Sequence, residues 1–153
     1  MYVYMVILSL LQSGGLFVVD FEVKELCNLD VNIYRCIAEN IDTDRVVLTN
    51  KSVLHIADHH PDAYNDVLIE LKDTILSPDY IISDGKHENT GLVIKKIESD
   101  AETDQHTFIV LKVCTDSQNG ELANSIISGW KISDKRLNSY LRNKQVLYKK
   151  ENS

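Results

Sequence analysis

Cysteine is scarce in this chain, and the three present, Cys27, Cys36 and Cys114, are odd in number and follow neither a zinc-ligand nor a redox spacing. That excludes a disulfide framework and fits a reducing cytoplasm. No internal repeat and no low-complexity segment interrupts the sequence, which argues against a solenoid and against a wholly disordered chain. A surplus of positive charge is also missing. The net charge of −7 is the wrong sign for a protein that grips nucleic acid over its whole surface. Nor is any apolar run clearly a membrane span. The uncharged opening Met1 to Leu11 is too short to cross a bilayer, and no Lys or Arg precedes it as an export signal requires. It is expected to be a buried strand or helix, with no membrane partner, although charge is absent as far as Val19.

What remains is ordinary globular material. A chain of 153 residues, 44% hydrophobic and 25% charged, fits one domain. A domain of this size buries about 68–70% of its unfolded surface without staples. The expected organisation is a single domain over residues 1–153, with an apolar extension over 1–23 and the core over 26–148. The charge is graded along it. From Leu122 onward Lys131, Lys135, Arg136, Arg142, Lys144, Lys149 and Lys150 face only Asp134 and Glu151, a balance of +5, which leaves −12 on everything before. A basic C-terminal face of this kind suits a phosphate chain held locally.

Hydrophobic periodicity and turn signals give the elements. Ser13-Gly14-Gly15 reads as a turn between the apolar opening and a strand over Leu16 to Val23, together a hairpin. Leu26, Leu29, Ile33, Ile37 and Ile41 recur at spacings of three and four and predict a helix from Asn28 to Glu39. Val46-Val47-Leu48 is a short strand, and Thr49 or Asn50 is an N-cap for a helix carrying Ser52 to Asp58. Pro61 suits the first turn of a second helix, lined by Tyr64, Leu68, Leu71 and Ile75 and ending at Leu76 before Ser77-Pro78-Asp79. Tyr80-Ile81-Ile82 is extended, and Ser83 to Gly91 is a polar loop. Leu92 to Ile97, Phe108 to Val113 and Ser125 to Ile132 read as strands. Ser133 caps a helix over Asp134 to Arg142, Val146-Leu147-Tyr148 is a last strand, and Lys149 to Ser153 is a frayed tail. Strand-rich segments after helical ones argue for an α+β fold, with an antiparallel sheet and the helices on one side.

The chemistry gathers at His55-Ile56-Ala57-Asp58-His59-His60-Pro61 and at Ser128-Gly129-Trp130. Cleaving RNA without a metal takes a base for the 2′-hydroxyl proton, an acid for the leaving 5′-oxygen and fixed donors for the phosphate. Imidazole suits both proton roles near neutral pH. Residues five apart do not share a helix face, so His55 and His60 converge only if the chain bends before Pro61. His55 and His59, four apart, could ligate zinc from one face, but a closed site needs two further ligands and no Glu follows His55 as in HExxH. No metal or cofactor is therefore assigned. His87 and His106 lie in polar stretches and are expected at the solvent surface. Lys86, Lys95, Lys96 and Lys112 are each able to supply a phosphate cation; Lys112 is taken as the catalytic one and Lys96, with Lys131 and Arg136, as substrate-binding. Ser128 offers a hydroxyl, Gly129 admits a close neighbour, and Trp130, the single tryptophan, offers a stacking surface for a base. Asn124 and Ser125 read as turn residues.

These segments resemble the phage-associated nuclease families grouped under the barnase, EndoU, colicin-type and RelE fold, called PBECR domains. The resemblance covers roughly Leu26 to Tyr148. HIADHHP is similar to the family's H-I-x-x-x-H-P segment, followed by a helix ending in Ser-Pro-Asp-Tyr-Ile and a late strand with a hydroxyl before an aromatic. His55 matches the first histidine, His60 the one before proline, Ser128 the late hydroxyl and Trp130 the aromatic. The resemblance implies a small α+β ribonuclease of the toxin or effector type. It would cut RNA without metal, whether transfer or messenger RNA being left open, and a cognate inhibitor or host protein is an expected partner. The rival expectation is a non-catalytic, phage-encoded binding or inhibitor protein of the same fold, whose acidic portion docks a basic host protein.

Overall fold

The computed structural model describes residues 23–62, 64–98, 104–115 and 122–151. The hairpin expected from the apolar opening lies outside these residues, except for its last position, Val23. Among the described residues the chain is mixed α+β, with strands β1 (Val23–Asn28), β2 (Arg45–Thr49), β3 (Tyr80–Ser83), β4 (Thr90–Lys96), β5 (Gln105–Lys112), β6 (Asn124–Ser133) and β7 (Val146–Lys149). The helices are α1 (Val31–Tyr34), α2 (Asn50–His59), α3 (Tyr64–Leu76) and α4 (Asp134–Asn143).

Local chemistry accounts for most boundaries. Thr49 Oγ1 accepts the Ser52 N–H at 3.1 Å and opens α2; Ser133 does the same for Arg136 at 3.2 Å and opens α4. Pro78 follows α3 closely and prevents its continuation. Pro61 lies in a turn ahead of α3, not in its first turn. The helix expected over Asn28 to Glu39 does not form. In its place the chain makes β1, the single turn of α1 capped by Asp30, and an irregular run to β2. Val31, Asn32 and Ile33 are weak helix formers, and Cys27 pairs with Val46 of β2. The 3–4 stripe still marks the inward side chains: Leu29 is buried, and Leu26, Ile33, Ile37 and Ile41 pack against the core.

The strands form one sheet in the order β1-β2-β6-β5-β4-β3-β7. It is not wholly antiparallel as expected, because β2 and β6 run parallel at Val46↔Asn124 and Val47↔Ser125. Asn124 explains this join. Its fully buried amide donates to Thr43 O at 2.8 Å and Arg45 O at 3.0 Å, and accepts from Cys114 N at 2.8 Å. Asn124 is thus a clamp between three segments, not a turn residue.

Side chains alternate across the sheet, so each inner strand feeds both faces. Ile81, Val93, Ile109, Leu111 and Ile126 face one core with Val53 and Ile56 of α2 and Val67, Leu71 and Ile75 of α3. Ile82, Leu92, Ile94, Phe108 and Ile132 face a second with Leu137 of α4. The expectation of helices on one side is therefore corrected: α4 covers the opposite face. Gly129 belongs to the first core, where a Cβ would come within 2.9 Å of Val67 and of Ile109, so the close neighbour it admits is α3. The tail is tied further than expected, since the Lys150 N–H reaches Asp79 O at 2.8 Å.

Candidate active site

The second face of the sheet is covered by α4 around Phe108 and Ile132, and beyond Trp130 it opens into a cavity of about 810 Å³. Four segments far apart in sequence form its walls. His55 and His60 stand on one side, residues 84–90 of the β3–β4 loop on the other, and Val110, Lys112, Ser128 and Trp130 of β5 and β6 lie between.

The convergence of His55 and His60 follows from the end of α2. The helix stops at His59, and His60 takes φ −134° and ψ 57° while its N–H still donates to Ile56 O at 2.9 Å. The proline at 61 disfavours helical geometry in the residue before it. His60 thus leaves the helical register and turns to the cavity that His55 reaches from the helix itself. The bend expected from the sequence is present.

Trp130 holds the His60 ring: the two are stacked with centroids 4.8 Å apart and planes 24° from parallel. Phe108, its cross-strand partner, stacks on Trp130 at 4.6 Å, and Tyr140 of α4 lies 5.2 Å beyond Phe108. The indole expected to receive a base is therefore engaged by two rings of its own chain. Burial, with the charges of His55 and His59 adding to it, holds the His60 imidazole below its ordinary value of 6.5. Its neutral, proton-accepting form is favoured. His55 and His59 stack on each other at 4.1 Å.

Ser128 is only 5% exposed, lines the cavity, and its Oγ has no hydrogen-bond partner among the described residues. A buried hydroxyl left in this way costs about 1–3 kcal/mol until something bonds to it. Lys112 ends β5 on the same face as Val110 and Phe108 and lines the cavity, as does Lys86.

The other cations assigned from sequence separate. Arg136 and Lys131 line an adjoining hollow of about 500 Å³ that shares His60 and Trp130 with the main cavity. There Lys131 is already paired with Asp66 at 2.6 Å. Lys96 sits at the far end of β4 opposite His106 and lines neither space; Lys95 donates to Ser77 O at 2.9 Å.

One histidine was misjudged. His106 is buried, not exposed, with Nε2 against Asp134 Oδ1, because β5 begins at Gln105 and lays His106 beside Ile132. His87 is exposed as expected but lines the cavity, and its Nδ1 lies 2.8 Å from Asp84 Oδ2. Asp84 also accepts the N–H groups of His87 at 2.8 Å and Lys86 at 3.3 Å. Burial pushes the Asp84 carboxyl up, but the bonds from the His87 ring and these N–H groups outweigh it and leave the group below its ordinary 3.8. The Asp-x-x-His spacing directly after a strand was the only sequence signal for this pair.

The domain is mixed α+β, with two histidines, a serine and a lysine around an open sheet face. The family model described as phage-Barnase-EndoU-ColicinE5/D-RelE like nuclease 3 matches residues 19–139, and the chain belongs to that family. The match bears out the resemblance read from HIADHHP and SGW, beginning a few residues earlier than Leu26 and ending before Tyr148. No curated protein and no solved structure matches the chain. Among the described residues no helix is long and apolar enough to cross a membrane.

Proposed function

We propose that the chain is a metal-independent endoribonuclease of BECR-type fold, of the phage toxin or effector kind. It cleaves by attack of a ribose 2′-hydroxyl on the adjacent phosphorus. The observation that carries this reading is the meeting of His55, His60, Ser128 and Lys112, from three distant segments, on one cavity. His60, neutral by virtue of its surroundings, takes the 2′-hydroxyl proton. Lys112 supplies positive charge to the phosphate, the Ser128 hydroxyl bonds one of its oxygens, and His55 stands beside His60 as a second proton carrier. Trp130 keeps the His60 plane fixed. Arg136 in the adjoining hollow holds a neighbouring nucleotide's phosphate.

The direct test is an RNA oligonucleotide compared with the same strand bearing a 2′-deoxy residue at the cleaved position, each with and without a metal chelator. Cleavage of the first alone, unaffected by chelator and leaving a 2′,3′-cyclic phosphate, is the expected result. Cutting of the deoxy strand, or loss of activity with chelator, would reject the proposed route.

A pH dependence follows from the same residue. A base works only when unprotonated, so activity falls on the acid side as His60 gains its proton. Because His60 is held low, the acid limb of kcat/KM is expected below pH 6.5. Replacing His59 by glutamine removes one of the charges responsible and moves that limb upward. A limb above 6.5 in the unmodified protein would contradict the assignment.

A further inference from the structure

We infer that His87, oriented by Asp84, is the general acid that protonates the leaving 5′-oxygen; the inference rests on the endoribonuclease reading and completes it. Displacement at phosphorus is in line, so the attacking 2′-oxygen and the departing 5′-oxygen lie on opposite sides of the phosphate. Base and acid must flank it from opposite walls. His55 and His60 both reach in from the α2 side, next to β6. His87 belongs to the loop that enters β4 at Thr90, which is registered against Lys112 of β5. The strands β6, β5 and β4 are consecutive in the sheet, so the two walls stand about 10 Å apart at the usual strand spacing. Between them lie Ser128 and Lys112, the groups able to hold the phosphate.

The local geometry suits a proton donor. An ionised carboxylate only accepts, so Nδ1 of His87 carries the hydrogen in the 2.8 Å contact with Asp84 and Nε2 is the nitrogen left for the substrate. Asp84 is itself held by the backbone N–H groups of His87 and Lys86, and the turn between is set by Gly85 at φ 75°. A carboxylate in this position fixes the tautomer and orientation of the ring. In the step, the 2′-O–P bond forms and the P–O5′ bond breaks. The 2′-hydroxyl proton passes to His60, and the Nε2 proton of the His87 imidazolium passes to O5′. The products are a 2′,3′-cyclic phosphate and a 5′-hydroxyl, and both rings recover their starting states by exchange with water.

Leaving-group chemistry tests the role. A ribonucleoside 3′-(4-nitrophenyl phosphate) expels an anion that needs no proton, whereas RNA expels an alkoxide that does. His87→Ala is expected to lower kcat/KM on RNA by about 10²–10⁴-fold and on the nitrophenyl ester by less than about tenfold. Asp84→Asn should show the same split in milder form, as a positioning residue. His60→Ala, which removes the base, should lose both substrates alike. Because His87 is an exposed loop residue, its removal leaves the thermal transition unchanged. Equal losses on both substrates, or full activity of His87→Ala on RNA, would overturn the acid role while the endoribonuclease reading stands. An unmodified protein that cleaves neither substrate defeats that reading, and the acid assignment with it.

Discussion

Replacing His60 by alanine is expected to lower kcat/KM for RNA cleavage by about 10³-fold, the middle of the range for losing a positioned general base. The loss should fall on kcat, because the ring acts on a proton that moves only in the transition state. Removing His55 as well should add less than its separate effect, since residues that act on one event are not additive. Stability changes little by comparison. The His60–Trp130 stack is worth about 0.5–1.5 kcal/mol, a few degrees in the thermal transition. Rate and melting measurements on the same samples separate chemistry from folding. Unchanged cleavage by the double variant would remove the basis for the functional reading.

The largest expected effect on stability comes from a residue with no role in the chemistry. Asn124→Ala deletes three part-buried hydrogen bonds at once, those to Thr43 O, Arg45 O and Cys114 N, and leaves a gap at the parallel join of β2 and β6. Each broken bond of this kind costs about 1 kcal/mol, and more where the abandoned group stays away from water, so a loss of about 3–5 kcal/mol is expected. That is a large share of the about 5–15 kcal/mol that holds an ordinary domain together. Urea unfolding measures it directly. Asn124→Asp should also destabilise the protein, because a carboxylate accepts but cannot donate to the two carbonyls. A midpoint shift worth less than about 1 kcal/mol in Asn124→Ala would mean that the join is maintained by other contacts.

Much of the fold was legible because its signals are local. The β-branched run Val46-Val47-Leu48, the caps at Thr49 and Ser133, and the break at Ser77-Pro78 act within a few residues and have the expected outcomes. The overpredicted helix after Asn28 shows the limit. Spacing of three and four reports which side chains turn inward, and Leu29, Ile33 and Ile37 do, but a strand and a single helical turn satisfy it as well. The parallel join and the second helical face depend on contacts across about 80 and about 30 residues respectively, which no local pattern encodes. The site divides in the same way. His55, His60, Ser128 and Trp130 stood in recognisable strings, and one wall was legible from them. Lys112 was one of four equivalent lysines until strand alternation pointed it to the cavity. Lys96 lies away from the cavity because register, not charge, decides which end of β4 it occupies. His87 looked like loop polarity because its partner Asp84 matters only once the loop has folded against the sheet.

One contact gives the protein a built-in optical gauge. The chain holds a single indole, and that indole lies face to face with the imidazole expected to carry the proton. Protonated imidazole quenches indole emission, so ultraviolet fluorescence followed across an acid titration reads the charge of that one ring without labels, isotopes or turnover. The proposed base can thus be followed in the resting molecule, before any substrate is added.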